Sequence, residues 1–127
     1  MKDNIKLYGN VTNPKEIIKI SSEADYLLHP GIIGLTALIA LSLGIPIITI
    51  NSKKQMPEFE VLKDGFNAVF IDKSSIDNSV KKIIHYLDRD IVKVMSINAF
   101  ESIFKRKEYS LKFMSDTFKK VIKKYGI

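Results

Sequence analysis

His29–Ile50 reads HPGIIGLTALIALSLGIPIITI, and the way this stretch divides decides the fold. It is the most apolar part of the chain, yet it holds Pro30, Pro46, Gly31, Gly34, Gly44 and His29. Three readings compete. The first is a membrane span, because no Asp, Glu, Lys or Arg occurs from Leu27 to Ile50. Its prolines and glycines leave an uninterrupted helical part of about ten residues, too short for a hydrocarbon core of ~30 Å at ~1.5 Å per residue. The second is a buried β-α-β unit. Asp25–His29 is a short run ended by proline, Gly34–Leu43 has a helical pattern stopped by Gly44, and IPIITI (Ile45–Ile50) is β-branched and apolar on both faces, as buried parallel strands are. The third adds a ligand. In open parallel sheets, ligands bind outside the carboxyl ends of the strands, and the first turn of a helix offers free N–H groups suited to phosphate. HPGIIG sits at such a place. Gly31 and Gly34 allow close backbone approach, and Thr36 supplies a hydroxyl. A G-x-x-G turn alone is weak evidence for a ligand.

Working outward, NPKEIIKISSEA begins with a cap signal. Asn13 can cap, Pro14 suits the first helical position, and Glu16 stands where a capping box has its acid. Ile17, Ile18 and Ala24 are expected on one helical face. Before it, Ile5–Gly9 (IKLYG) reads as a strand. After the central stretch, a loop with one helical turn following Pro57 leads to a strand at Asn67–Ile71. A helix over Ser75–Asp88 follows, with Ile76, Val80, Ile83, Ile84 and Leu87 on one face. Two helices close the chain, over Asp90–Lys105 and Ser110–Tyr125. The second carries Leu111, Met114, Phe118, Val121, Ile122 and Tyr125 on one stripe. This alternation predicts an α/β, Rossmann-like domain of about four parallel strands with helices on both faces and two C-terminal helices. The core is expected over residues 4–88 and the closing helices over 89–127, as a single domain spanning 1–127.

The 127 residues, 46% of them hydrophobic, fit one globular domain. There is no cysteine, which excludes disulfide and thiolate chemistry, and two histidines do not make a His-rich metal site. The first ten residues, MKDNIKLYGN, lack the apolar core of a signal peptide, so a cytoplasmic address is the default. The net charge of +6 raises nucleic acid as a partner. Much of the excess lies in FKRKEYSLKF and FKKVIKKYGI, where aromatics fall at helical core spacing rather than on a stacking face. No nucleic acid is therefore expected. That basic end is read as a solvated face, with peripheral contact to an anionic membrane surface as the alternative.

Of the titratable residues, His29 can contact a phosphate or sugar hydroxyl or serve as acid or base, or can simply be hydrogen-bonded to backbone at the strand end. His85, near the end of a helix, suits the surface. Glu58 and Glu60 follow Pro57, either binding sugar hydroxyls or standing at a helix start. Lys53 and Lys54, after the third expected strand, can meet phosphates or remain solvated.

In order, YGNVTNPKEIIKISSEADYLLHPGIIGLTALIALSLGIPIIT and MPEFEVLKDGFNAVFI resemble the C-terminal, nucleotide-sugar-binding half of bacterial group 1 glycosyltransferases of the GT-B fold. PGIIGLTAL and QMPEFE are similar to a branch found in capsule, O-antigen and exopolysaccharide clusters. The resemblance covers about Ile5 to Leu87. It implies transfer of a hexose-type unit from a nucleotide diphosphate sugar to a growing surface glycan, without a metal cage or covalent cofactor in this domain. It places Gly9, Asn10 and Val11 by the nucleotide base. Pro30, Gly31, Ile32, Ile33, Gly34, Leu35 and Thr36 fall by the sugar and diphosphate, with catalytic residues unassigned beyond the weak candidates His29 and Glu58. It also implies a chain truncated on its N-terminal side, completed by an acceptor domain or a partner chain, inactive alone and prone to dimerise through exposed apolar edges. The sequence departs from the family at three positions. Gly31 and Ile39 stand where glutamates are usual, and Ala68 follows Asn67 where a glycine is usual. Two other readings remain: a non-catalytic or degenerate glycosyltransferase-like interaction module, and an unrelated flavodoxin-like binding domain, against which the lack of an acidic cluster at the first strand end counts.

Overall fold

A computed structural model describes residues 4–105 and 111–126. Three parallel strands, β1 (Leu27–His29), β2 (Ile47–Ile50) and β3 (Ala68–Ile71), lie in that order in one sheet. The register pairs Leu27 with Ile47 and Ile47 with Ala68. Around the sheet run α1 (Pro14–Ser21), α2 (Leu35–Ser42), a 3-10 turn at Pro57–Val61, α3 (Ile76–Tyr86), α4 (Arg89–Phe104) and α5 (Leu111–Tyr125). The arrangement is α/β and Rossmann-like. Ser110, expected to start the last helix, lies outside the described residues, as does the Leu111 side chain of the expected stripe.

The expected first strand, Ile5–Gly9, is not one, so the sheet has three strands rather than four. Its apolar side chains are exposed, Leu7 to 89%. A strand exists only with a hydrogen-bonded neighbour, and this segment pairs with none of the three described strands.

Period-two alternation splits the core into two layers. Ile47 and Ala68 face Ile33, Ala37, Ala40, Leu41 and Val61, contributed by α2, its entry loop and the 3-10 turn. Ile48 and Val69 face Met95, Ile83 and Ile91, from α3 and α4. α4 serves both layers, since Ala99 packs in the first and Met95 in the second. It is anchored to the turn entering β2, where Ser96 Oγ donates to Gly44 O at 2.6 Å. Gly44 has φ +72°, the left-handed geometry that ends α2, and a Cβ there would come within 3.3 Å of Ser96 Oγ. α4 thus crosses the amino ends of the strands, and the opposite, carboxyl ends remain accessible. Asn13 caps α1 as expected, its side chain accepting from Lys15 N at 2.9 Å. Ile17 is half-buried but Ile18 is not, so the expected shared face of α1 is only partly covered.

One anchor between the ends of the chain titrates. Tyr26 Oη donates to Tyr86 O at 2.6 Å and lies 3.3 Å from Met95 Sδ. Burial, then Tyr86 and Asp25, push its phenol from 10.0 up to about 12. The folded state therefore holds the proton more tightly than the unfolded one. That contribution is complete below pH 10 and is lost as pH rises towards 12. Urea unfolding at stepped pH should show stability falling across this window, and Tyr26→Phe should remove that component while costing ~1 kcal/mol at neutral pH.

Candidate functional site

Parallel strands present their carboxyl ends, and the loops that follow, on one edge of the sheet. Here those loops are 30–34 after β1, 51–56 after β2 and 72–75 after β3. The first is the glycine-rich turn of the sequence. It has no side-chain cap and runs into α2, whose first turn is tightened by Ala37 N donating to Gly34 O at 2.8 Å. The leading amides of such a helix have no carbonyl to pair with inside it.

The loop is held from below. Ile33 N donates to Gln55 Oε1 at 3.0 Å, and Gln55 Nε2 donates to Ile50 O at 2.9 Å. One amide side chain therefore ties the glycine-rich loop to the end of the central strand. Ile33 itself is fully buried, as the plug of the first core layer. Gly34 sits against the 3-10 turn, since a Cβ there would lie 3.5 Å from Met56 Cγ and 3.8 Å from Glu58 Oε2. Gly31 is open apart from His29, whose Cε1 would be 3.8 Å from an added Cβ.

Around this loop lie the buried side-chain polar atoms that, among the described residues, find no hydrogen-bond partner: His29 Nδ1, Thr49 Oγ1 and Glu58 Oε2. His29 and Thr49 are register partners on adjacent strands, on the same face of the sheet. Glu58 adjoins the loop through Gly34. Folded proteins rarely leave such atoms unpaired, because each costs ~1–3 kcal/mol without a partner. An imidazole and a hydroxyl thus stand side by side at the strand ends, and a carboxylate stands against the loop that supplies helix-end amides. Chemically, this suits a ligand with hydroxyls for the first group and an anionic part for the second.

Several candidate residues are brought together. His29, Pro30, Gly31, Ile32, Ile33, Gly34, Leu35 and Glu58 share this edge. Thr36 is exposed and borders an apolar groove of about 300 Å³ between α1 and α2. Ile39 lines the same groove with Ile17, Ile20 and Leu43. Lys53 and Lys54 are solvent-exposed on the loop that carries Gln55. Gly9, Asn10 and Val11 precede α1. Gly9 has φ +67° with open space around it, and no described contact joins this turn to the glycine-rich loop. Thr49 and Gln55 were missed by the sequence reading. Thr49 had no signal beyond its polar side chain inside an apolar strand. Gln55 had none, since only the fold brings it beneath Ile33.

The sheet, the crossover and a glycine-rich turn at a strand's carboxyl end define a Rossmann-like α/β protein with its ligand edge at the carboxyl ends of the strands. The family model described as glycosyl transferases group 1 matches residues 1–102. The chain belongs to the group 1 glycosyltransferases, and glycosyl transfer from a nucleotide-sugar donor is the activity that membership implies. No curated protein gives a match to it. Among the described residues, no helix is long and apolar enough to cross a membrane.

Proposed function

We propose that these residues supply the donor-binding region of a glycosyltransferase that moves a hexose-type unit from a nucleotide diphosphate sugar to a growing surface glycan. The observation that carries this reading is that His29 Nδ1 and Glu58 Oε2, beside the glycine-rich loop, and Thr49 Oγ1, beside His29 in the sheet, are buried and unpartnered. In this reading Glu58 and His29 hold sugar hydroxyls. The amides opening α2, with Lys53 and Lys54, face the diphosphate. As the glycosidic bond breaks, the bond electrons pass to the diphosphate oxygen and the acceptor hydroxyl bonds to the sugar carbon, giving up its proton. Positive groups and helix-end amides that stabilise the departing diphosphate lower the barrier electrostatically. The surface-glycan acceptor rests on the likeness of PGIIGLTAL and QMPEFE to the polysaccharide-cluster branch. The acceptor side is assigned to a further domain, in this chain or another, without which the 127 residues bind donor but do not turn it over.

Calorimetric titration of the chain with a panel of nucleotide diphosphate sugars tests the reading. One of them should bind, and Glu58→Gln should weaken it about tenfold or more, the scale of a hydrogen bond to a charged group. Thr49→Val should weaken binding too, while stabilising the free protein by ~1 kcal/mol, because it removes a buried hydroxyl without a partner. A destabilised Thr49→Val would show that the hydroxyl serves the fold instead. The rival reading, a non-catalytic glycosyltransferase-like module, is favoured by Ile39 turning an apolar surface into the α1–α2 groove. Absence of any donor binding at about 1 mM would decide for it.

A further inference from the structure

Thr49 lies beside the site, yet no ligand reaches it. It is 0% exposed, and its Oγ1 has no hydrogen-bond partner. Valine has nearly the same shape and would leave no hydroxyl unpaired, so in the free protein the threonine costs stability. A buried polar group kept at such a cost is expected to find its partner in another state of the protein. The register limits what that partner is. Thr49 stands between Phe70 on β3 and His29 on β1. Phe70 offers only a ring, stacked on Phe59 at 5.1 Å. His29 offers Nδ1, which is buried and also unpartnered. Neighbouring strands lie ~4.8 Å apart, so a hydroxyl on one Cβ and a ring nitrogen on the other are within one staggered rotation of a hydrogen bond. The far side of the ring faces outward, since Nε2 bonds to no described residue and is not buried.

We infer that Thr49 positions His29 for the donor: its hydroxyl donates to Nδ1 and so holds the ring's proton on Nε2, from which it donates to an oxygen of the bound sugar. This rests on the donor-binding reading above and specifies the part His29 takes in it. A neutral imidazole has one donor and one acceptor nitrogen. Once a ligand oxygen accepts from Nε2, Nδ1 is left as a buried acceptor, with Thr49 as the hydroxyl in its row of the sheet. The pairing therefore closes with the ligand and satisfies two buried atoms at once. Glu58 complements it, because a carboxylate accepts a hydrogen bond from a sugar hydroxyl while the imidazole donates one to a hydroxyl oxygen. Thr49 touches no ligand and acts through His29 alone.

Nitrogen NMR of the isotope-labelled chain, beside calorimetric titration with the same panel of nucleotide diphosphate sugars, tests the inference. His85 is exposed, so His85→Gln leaves the His29 ring as the only imidazole in the spectrum without touching the site. With the sugar that binds, the proton should sit on Nε2, and the Nδ1 signal should move upfield of its place in the free chain, as an acceptor nitrogen does. Thr49→Val should abolish that move and weaken binding about tenfold, and Thr49→Ser should restore both. On a His29→Ala background, Thr49→Val should leave affinity unchanged, because a positioning residue has no effect without the group it positions. Far-UV circular dichroism verifies that the variants remain folded. A bound ring protonated on Nδ1, a Thr49→Val loss that persists without His29, or a Thr49→Ser variant that binds no better than Thr49→Val would each overturn the inference and leave the donor reading intact. If no nucleotide sugar binds at about 1 mM, the donor reading and the inference fall together.

Discussion

Asn67→Leu is expected to cost about 3–4 kcal/mol, the largest loss of any single polar substitution in this chain, because one side chain satisfies three groups in the core. Asn67 is completely buried. Its Oδ1 accepts from Lys63 N at 2.7 Å, and its Nδ2 donates to Val61 O at 3.0 Å and to Ser102 Oγ at 2.7 Å. Ser102 in turn donates to Asn98 O at 2.6 Å. This bracket joins the 3-10 turn, the turn entering β3 and α4, elements distant in sequence. Leucine has about the right size but pairs with none of them, so an amide, a carbonyl and a hydroxyl lose their partner beside a fully buried position. For a domain of this size the midpoint of thermal unfolding should fall by about 10–20 °C. Ser102→Ala should cost about 1 kcal/mol, because the serine contributes only one of the three contacts. In the double variant the losses should add to less than their sum, since both changes break the same bond. A fall of under 1 kcal/mol for Asn67→Leu would mean that the bracket is dispensable.

The division of HPGIIGLTALIALSLGIPIITI into strand, loop, helix and strand was legible because each boundary has a local cause. Proline closes β1, Gly44 takes a left-handed φ at the end of α2, and β-branched residues run through β2. The last helix was legible from the periodicity of its apolar stripe. Ile5–Gly9 was misread because its composition is strand-like, but a strand also needs a neighbour, and that depends on the whole sheet. The site was legible only where it coincides with a turn signal. His29 and Glu58 stand beside proline, so position drew attention to them. Thr49 looks like any residue of an apolar strand until the register sets it beside His29. Asn67 is expected from the sequence to open the strand Asn67–Ile71, a reading that carries no sign of the three bonds that bury its side chain. Local chemistry encodes where the chain turns; which polar atoms end up without partners is decided by packing between segments far apart in sequence.

Gln55→Leu should separate the loop from the strand that supports it, and carries the second large effect. Gln55 is half-buried, and its two bonds, to Ile33 N and Ile50 O, are the polar link between the glycine-rich loop and β2. The Ile33 amide belongs to a residue with no exposure, so once its acceptor is gone water cannot readily replace it. The expected loss is ~2–3 kcal/mol of stability from that stranded amide and the Ile50 carbonyl. Because Ile33 plugs the first core layer, the loop should loosen rather than unfold. Amide exchange at Ile33 should then accelerate more than that of Val69, which lies in the other layer. On the proposed donor-binding reading, donor affinity should fall with it, although Gln55 need not touch the ligand, since that reading has the loop amides meet a diphosphate. Gln55→Glu separates positioning from mere presence of the residue. It retains an acceptor for Ile33 N but sets a carboxylate against Ile50 O, so it should keep the Ile33 amide protected while losing the bond to the strand. If Gln55→Leu left both Ile33 exchange and stability unchanged, the loop would be held by the burial of Ile33 alone.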